Sequence, residues 1–185
     1  NGTGTQKIGG NQKFRIGELE IDKASGKVYL DQNMTISGKL TISDGTIIEA
    51  REIGGNKASD YAVLTFEDGA TWEGDGWVEG KVRKVGDDAF TFPIGKDGRE
   101  GRLSISAPAS NTTYDAEYFV TPYSNVTSLG GGLVNVSRNE YWSLEQITGS
   151  GAVDVTLHWA DGTWSSISDE TELLVASWSG SQWET

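Results

Sequence analysis

Short apolar pairs set between glycines recur through the first third of the chain, and they restrict what it can become. Gly17-Glu-Leu19-Glu-Ile21-Asp22 is echoed by Gly26-Lys-Val28-Tyr-Leu30-Asp31 and by Gly38-Lys-Leu40-Thr-Ile42-Ser43. Asn33-Met-Thr-Ile36-Ser37 is a variant without glycine, and Gly45-Thr-Ile47-Ile-Glu49 is a weaker copy. In each, apolar and polar side chains alternate, which is the period of a half-buried strand. A strand this short cannot bury its apolar face alone, so copies must stack on one another. Their irregular spacing, about 7 to 12 residues, leaves two arrangements open: a β-solenoid-like coil or a short antiparallel meander.

The pattern changes over residues 76–95. Val78 and Val82 fall on one face there, and Glu79, Lys81 and Arg83 on the other. The stretch ends in Phe90-Thr-Phe92-Pro-Ile-Gly95, where proline removes an amide donor and ends or edges a strand. Phe90 and Phe92 are expected core anchors. This junction divides the chain into a β-repeat region, residues 1–77, and a β-sandwich domain, residues 78–185.

Beyond the junction the expected strands lengthen and gain aromatics. Tyr114, Ala116 and Tyr118 alternate on one side of a strand, and Val134-Asn-Val-Ser137 and Glu140-Tyr-Trp142-Ser-Leu144 are two more. Val153-Asp-Val155-Thr-Leu157-His-Trp159 alternates most cleanly, with His158 outward. Residues 168–172 suit a loop or one helical turn, and Leu173-Leu-Val-Ala-Ser-Trp178 a last long strand. Gly180-Ser-Gln-Trp183 begins a strand that the chain does not finish. No segment keeps a helical period beyond about two turns. The expected fold is therefore all-β, a short solenoid-like or meander repeat region followed by an antiparallel β-sandwich.

Composition narrows the function. The net charge of −12 disfavours nucleic acid and anionic membrane surfaces. There is no cysteine, hence no disulfide and no thiolate-bound metal. No apolar run reaches the roughly 18 residues of a membrane-spanning helix. A single histidine and the lack of a nucleophile elbow, P-loop or His-Glu-x-x-His motif remove most nucleophile–base chemistries. Paired carboxylates could still serve a glycosidase, but nothing in the sequence marks a pair.

Two groups of residues are candidates for binding. Acidic clusters that include Asp75, Asp87 and Asp88 offer oxygens to calcium, without matching any calcium-loop motif. Turn formation and solubility account for them more simply, and no cofactor other than this weaker calcium candidate is expected. The tryptophans divide by strand parity. Trp142, Trp159 and Trp178 share faces with aliphatic neighbours and are expected in the core. Trp77, Trp164 and Trp183 fall on the opposite parity or beside turns, where an exposed ring could stack on a glycan.

Val82-Arg-Lys-Val-Gly86 followed by Phe90-Thr-Phe-Pro-Ile-Gly95 resembles a signature of large surface proteins that Bacteroidetes bacteria export through the type IX secretion system. Ala116-Glu-Tyr118-Phe, Asn139-Glu-Tyr-Trp142-Ser-Leu144, Val155-Thr-Leu157-His-Trp159 and the segment from Leu173 to Trp183 follow in the same order. The resemblance implies a secreted or cell-surface β protein serving adhesion, gliding or matrix building, and it brings no catalytic residues. The partners it implies are other copies of the chain, neighbouring domains of a larger surface protein, or glycans. An unfinished last strand suggests strand exchange between copies, with the glycine- and threonine-rich first dozen residues as donor. A carbohydrate-binding module of a polysaccharide-degrading system is the alternative.

Overall fold

A computed structural model describes residues 3–23, 25–43, 46–53, 61–159 and 162–185. Of the polar segment at 52–60 only Glu52 and Ile53 are among them, and of Asp161-Gly162 only Gly162. The first nine strands are β1 (Gln6–Ile8), β2 (Phe14–Ile21), β3 (Lys27–Leu30), β4 (Met34–Ile42), β5 (Ile47–Ala50), β6 (Leu64–Phe66), β7 (Thr71–Glu73), β8 (Trp77–Glu79) and β9 (Val82–Gly86).

These strands alternate between two sheets, and every pairing among them is parallel. One sheet runs β1-β3-β5-β8 and the other β2-β4-β6-β9, with β7 also on β4. Parallel neighbours two strands apart in sequence require a coiling chain, so these strands do not form an antiparallel meander. The irregular spacing of the copies now has a cause. The segments at residues 33–37 and 38–43 are two halves of the single strand β4, and successive copies feed opposite sheets.

Each buried side chain stacks on its counterpart in the next strand. Phe14, Met34, Leu64 and Val82 form one such ladder. Val28, Ile48 and Val78 form another in the facing sheet. Met34, Leu64, Val82, Ile48 and Val78 are wholly inaccessible to solvent. On the outer surface, matching rows carry charge. Lys27 bridges Glu49 at 2.7 Å and Glu79 at 2.6 Å, and Arg15 pairs with Glu67 at 2.7 Å.

Residues 78–83 do not make the single half-buried strand that their alternation suggests. The chain turns a corner at Gly80, whose φ of 141° lies in the region open to glycine. Val78 and Val82 therefore belong to different sheets. Glu79 is buried, held by Lys27 and by the backbone N–H of Asp97 at 2.8 Å.

The second half adds β10 (Phe90–Phe92), β11 (Gly95–Lys96), β12 (Arg99–Glu100), β13 (Leu103–Ile105), β14 (Thr112–Phe119), β15 (Tyr141–Thr148), β16 (Val155–Leu157), β17 (Ser177–Trp178) and β18 (Trp183–Glu184). β14 pairs antiparallel with β9, and β15 with β14, so the coil's second sheet extends to β15. Residue 77 lies within β8. β10, β13 and β16 form a separate antiparallel sheet. Phe90, Phe92, Tyr114, Ala116 and Tyr118 are buried as expected, in one core with the coil's residues.

Several expected strands are shorter or missing. Residues 134–137 are not a strand, and Val134 is 89% exposed. Of residues 153–159 only 155–157 pair, leaving Trp159 at the surface rather than in the core. Leu173, Leu174 and Val175 are exposed, and β17 begins only at Ser177. A single 3-10 turn, Glu170–Glu172, is capped by Asp169. Both terminal segments are already paired within the chain. β1 lies on β3, and Trp183 is bonded to Trp178 on one side and to residues 128–130 on the other.

Gly74 tests the close approach between successive coils. Its φ is 104°, and a Cβ there would lie 2.0 Å from the carbonyl oxygen of Ile42. Gly74→Ala is expected to cost roughly 1–3 kcal/mol. At about 2–4 °C per kcal/mol, calorimetry would register a clear fall in thermal midpoint. Gly10→Ala, with nothing within 4 Å of its new methyl, should leave the midpoint unchanged.

Candidate functional site

One open groove among the described residues follows from a mismatch in strand length. β4 is nine residues long, but β6 covers only its first part and β7 its last. Between them the chain turns at residues 67–70, where the Ala70 amide bonds the Glu67 carbonyl at 3.0 Å. β9 continues the sheet beside β6 alone, so the far edge of β7 has no strand partner. A groove of about 580 Å³ lies along that edge, closed on its other side by residues 88–91 and at one end by Arg102.

Trp72 of β7 forms part of its wall. The indole N–H donates to the Thr91 carbonyl, spanning the gap between β7 and β10. The Arg102 guanidinium lies 4.9 Å from the centre of the Trp72 ring. Arg102 is held in turn by Glu100 at 2.7 Å and by the Gly74 carbonyl at 3.3 Å. Ring and guanidinium are thus fixed without a ligand. The sequence places a strand near residue 72 but offers no reason to prefer this tryptophan over the others.

Two carboxylates flank the groove. Glu73 pairs with Lys39 at 2.7 Å, and that bond holds its pKa below the ordinary carboxylate range. Asp88 accepts from Lys84 Nζ at 2.9 Å and from the Gly69 amide at 2.7 Å, and its pKa is lowered chiefly by the lysine. Lys84 occupies an inward position of the sheet and is buried. Its ammonium must find oxygens, and the Glu67 carbonyl at 2.9 Å supplies another.

The calcium candidates are partly brought together. The carboxylates of Asp87 and Asp88 gather with that of Asp68, each pair within 4.8 Å. Asp75 lies elsewhere, highly exposed and 4.0 Å from Arg102. The Asp68–Asp87–Asp88 oxygens already face a protein cation, Lys84, on Asp88.

Trp77, Trp164 and Trp183 occupy three different settings. Trp77 is half-buried on β8 against Gly95, where an added Cβ would lie 2.5 Å from the ring. Trp164 is covered by the Arg99 guanidinium, 3.8 Å above its ring. Trp183 packs edge-on against Tyr123 and Trp178 and donates its indole N–H to the Asn125 carbonyl at 2.7 Å. Together with Phe119 and Tyr141, stacked at 4.5 Å, this cluster pins the β17–β18 hairpin to the end of β14–β15.

Other ionisable groups serve packing. The Tyr118 hydroxyl donates to buried Glu140, and burial followed by that carboxylate raises its pKa. Burial likewise raises Glu117. Asp115 accepts two bonds from Arg83, at 2.6 and 2.8 Å. His158 Nε2 lies 2.9 Å from Ser104 Oγ on the outer face of the three-stranded sheet.

Comparison with protein-family models, curated proteins and solved structures returns no match to the chain.

A depressed carboxylate pKa stabilises the fold above the unfolded value, about 3.9 for aspartate, and that contribution fades as pH falls through the folded value. Lys84→Met should therefore raise the Asp88 titration midpoint toward 3.9, read by carboxyl NMR. That contribution is lost with the lysine, and the Glu67 carbonyl loses its Nζ donor, so the thermal midpoint at neutral pH should fall modestly. An unchanged Asp88 midpoint would show that the lysine does not set its acidity.

Proposed function

We propose that this chain is a non-enzymatic structural and adhesive module of a secreted, cell-surface protein, akin to those exported by Bacteroidetes through type IX secretion. The observation that carries this reading is the sheet β15-β14-β9-β6-β4-β2, which passes from coil to antiparallel strands over one core. Such a build suits a load-bearing spacer in a longer chain, because each strand is braced by its neighbours rather than by a local loop.

The electrostatics of the groove agree with a role other than hydrolysis. A glycosidase acid must keep its proton near neutral pH, which requires a raised pKa. Both groove carboxylates, Glu73 and Asp88, are lowered by lysine partners. No calcium dependence is part of this reading. Contacts between copies, where they use backbone pairing, draw on the outer edges of β1, β2 and β15, each paired on one side only, rather than on Trp183, which is bonded on both sides.

Beads coated with the purified chain should be retained on bacterial or mucin-coated surfaces under flow, while uncoated beads are not. The chain should release no reducing ends from a panel of polysaccharides. Turnover of any polysaccharide, or retention equal to that of uncoated beads, would overturn the reading.

A further inference from the structure

We infer that the groove along the free edge of β7 is a binding subsite for a neutral oligosaccharide, with the Trp72 indole as its stacking wall. The scaffold reading does not require this, and each can fail without the other.

Sugar rings present an apolar face edged by hydroxyls that both donate and accept, so they need an aromatic surface with polar atoms close to its plane. The groove supplies both. Trp72 is partly buried, packed against the core beside Leu40 and held through its N–H to Thr91, and it reaches the groove as part of its lining. Around it stand the Glu73 and Asp88 carboxylates, the Arg102 guanidinium and the strand edge of β7, which pairs only with β4. Its volume of about 580 Å³ falls among small-ligand sites, which span roughly 300–1,000 Å³. Because ring and guanidinium are fixed from behind, little ordering cost accompanies binding.

The same atoms argue against other ligands. A phosphate or uronate would meet Glu73, Asp88 and the nearby Asp75, with Arg102 already paired to Glu100. An extended peptide would gain only the three residues of β7 as a pairing edge. A neutral glycan suffers neither disadvantage.

The test is calorimetric titration with neutral β-linked hexasaccharides of glucose, xylose, mannose and N-acetylglucosamine, with polygalacturonate as the anionic counterpart. At least one neutral series should bind saturably, and polygalacturonate should not. Trp72→Ala should weaken binding about tenfold or more. Two further variants sit at exposed positions, so their folding is not at stake. Glu73→Ala removes a rim acceptor and should weaken binding several-fold, and Ala89→Arg fills the groove and should abolish it. The inference is overturned if no neutral hexasaccharide binds the unaltered chain, if polygalacturonate binds in preference, or if Ala89→Arg and Glu73→Ala bind as the unaltered chain does.

Discussion

One row of side chains ties the two halves of this protein together. Phe14, Met34, Leu64 and Val82 stack strand upon strand through the parallel coil, and the row continues through Ala116 to Leu144. The change from parallel to antiparallel pairing falls between β9 and β14 without interrupting it. Ladder hydrogen bonds reverse their geometry there, but the apolar face does not. A cavity opened at Leu64 or Val82 would therefore be felt on both sides of the change. Core packing this close transmits strain instead of absorbing it.

The neighbouring inward row contains a buried cation. It runs Ile16, Ile36, Phe66, Lys84, Tyr114 and Gln146. An ammonium at an inward position is tolerable only if oxygens reach it, and the Glu67 carbonyl and Asp88 do so. The turn at residues 67–70 and the segment at 87–88 are thereby drawn to the same end of the sheet. Of the acidic cluster of Asp68, Asp87 and Asp88, one member is thereby explained: Asp88 partners an internal cation, a structural reason for a residue that otherwise suggests calcium.

The all-β character was legible because alternation and glycine punctuation are local signals. Strand sites at Tyr114, Ala116 and Tyr118, and the burial of Phe90 and Phe92, follow from the same period. The choice between coil and meander was not legible, because it depends on which copies pair. Nor was the corner at Gly80, since Val78 and Val82 keep a period of two right across it. The tryptophans show the clearest limit. Parity assigns Trp159 to a buried face, yet its strand ends at Leu157 and the ring lies at the surface. Parity sets Trp183 outside, yet Tyr123, from far earlier in the chain, and Trp178, across the hairpin, pack against it. Side-chain alternation says which way a residue points, not whether anything lies there to meet it.

Trp72 escaped notice for a related reason. Nothing in Thr71-Trp-Glu73 distinguishes it from a short buried strand, and its setting arises from lengths in three other strands. β4 extends past β6, β7 takes up the remainder, and β9 is too short to follow. The edge left over is where residues 88–91 pass, and their Thr91 carbonyl receives the indole N–H. A parallel coil of equal strands would have closed this gap with another pairing. The groove is thus produced by irregularity in the repeat, and the most regular part of the molecule supplies the rigid wall against which a ligand would rest.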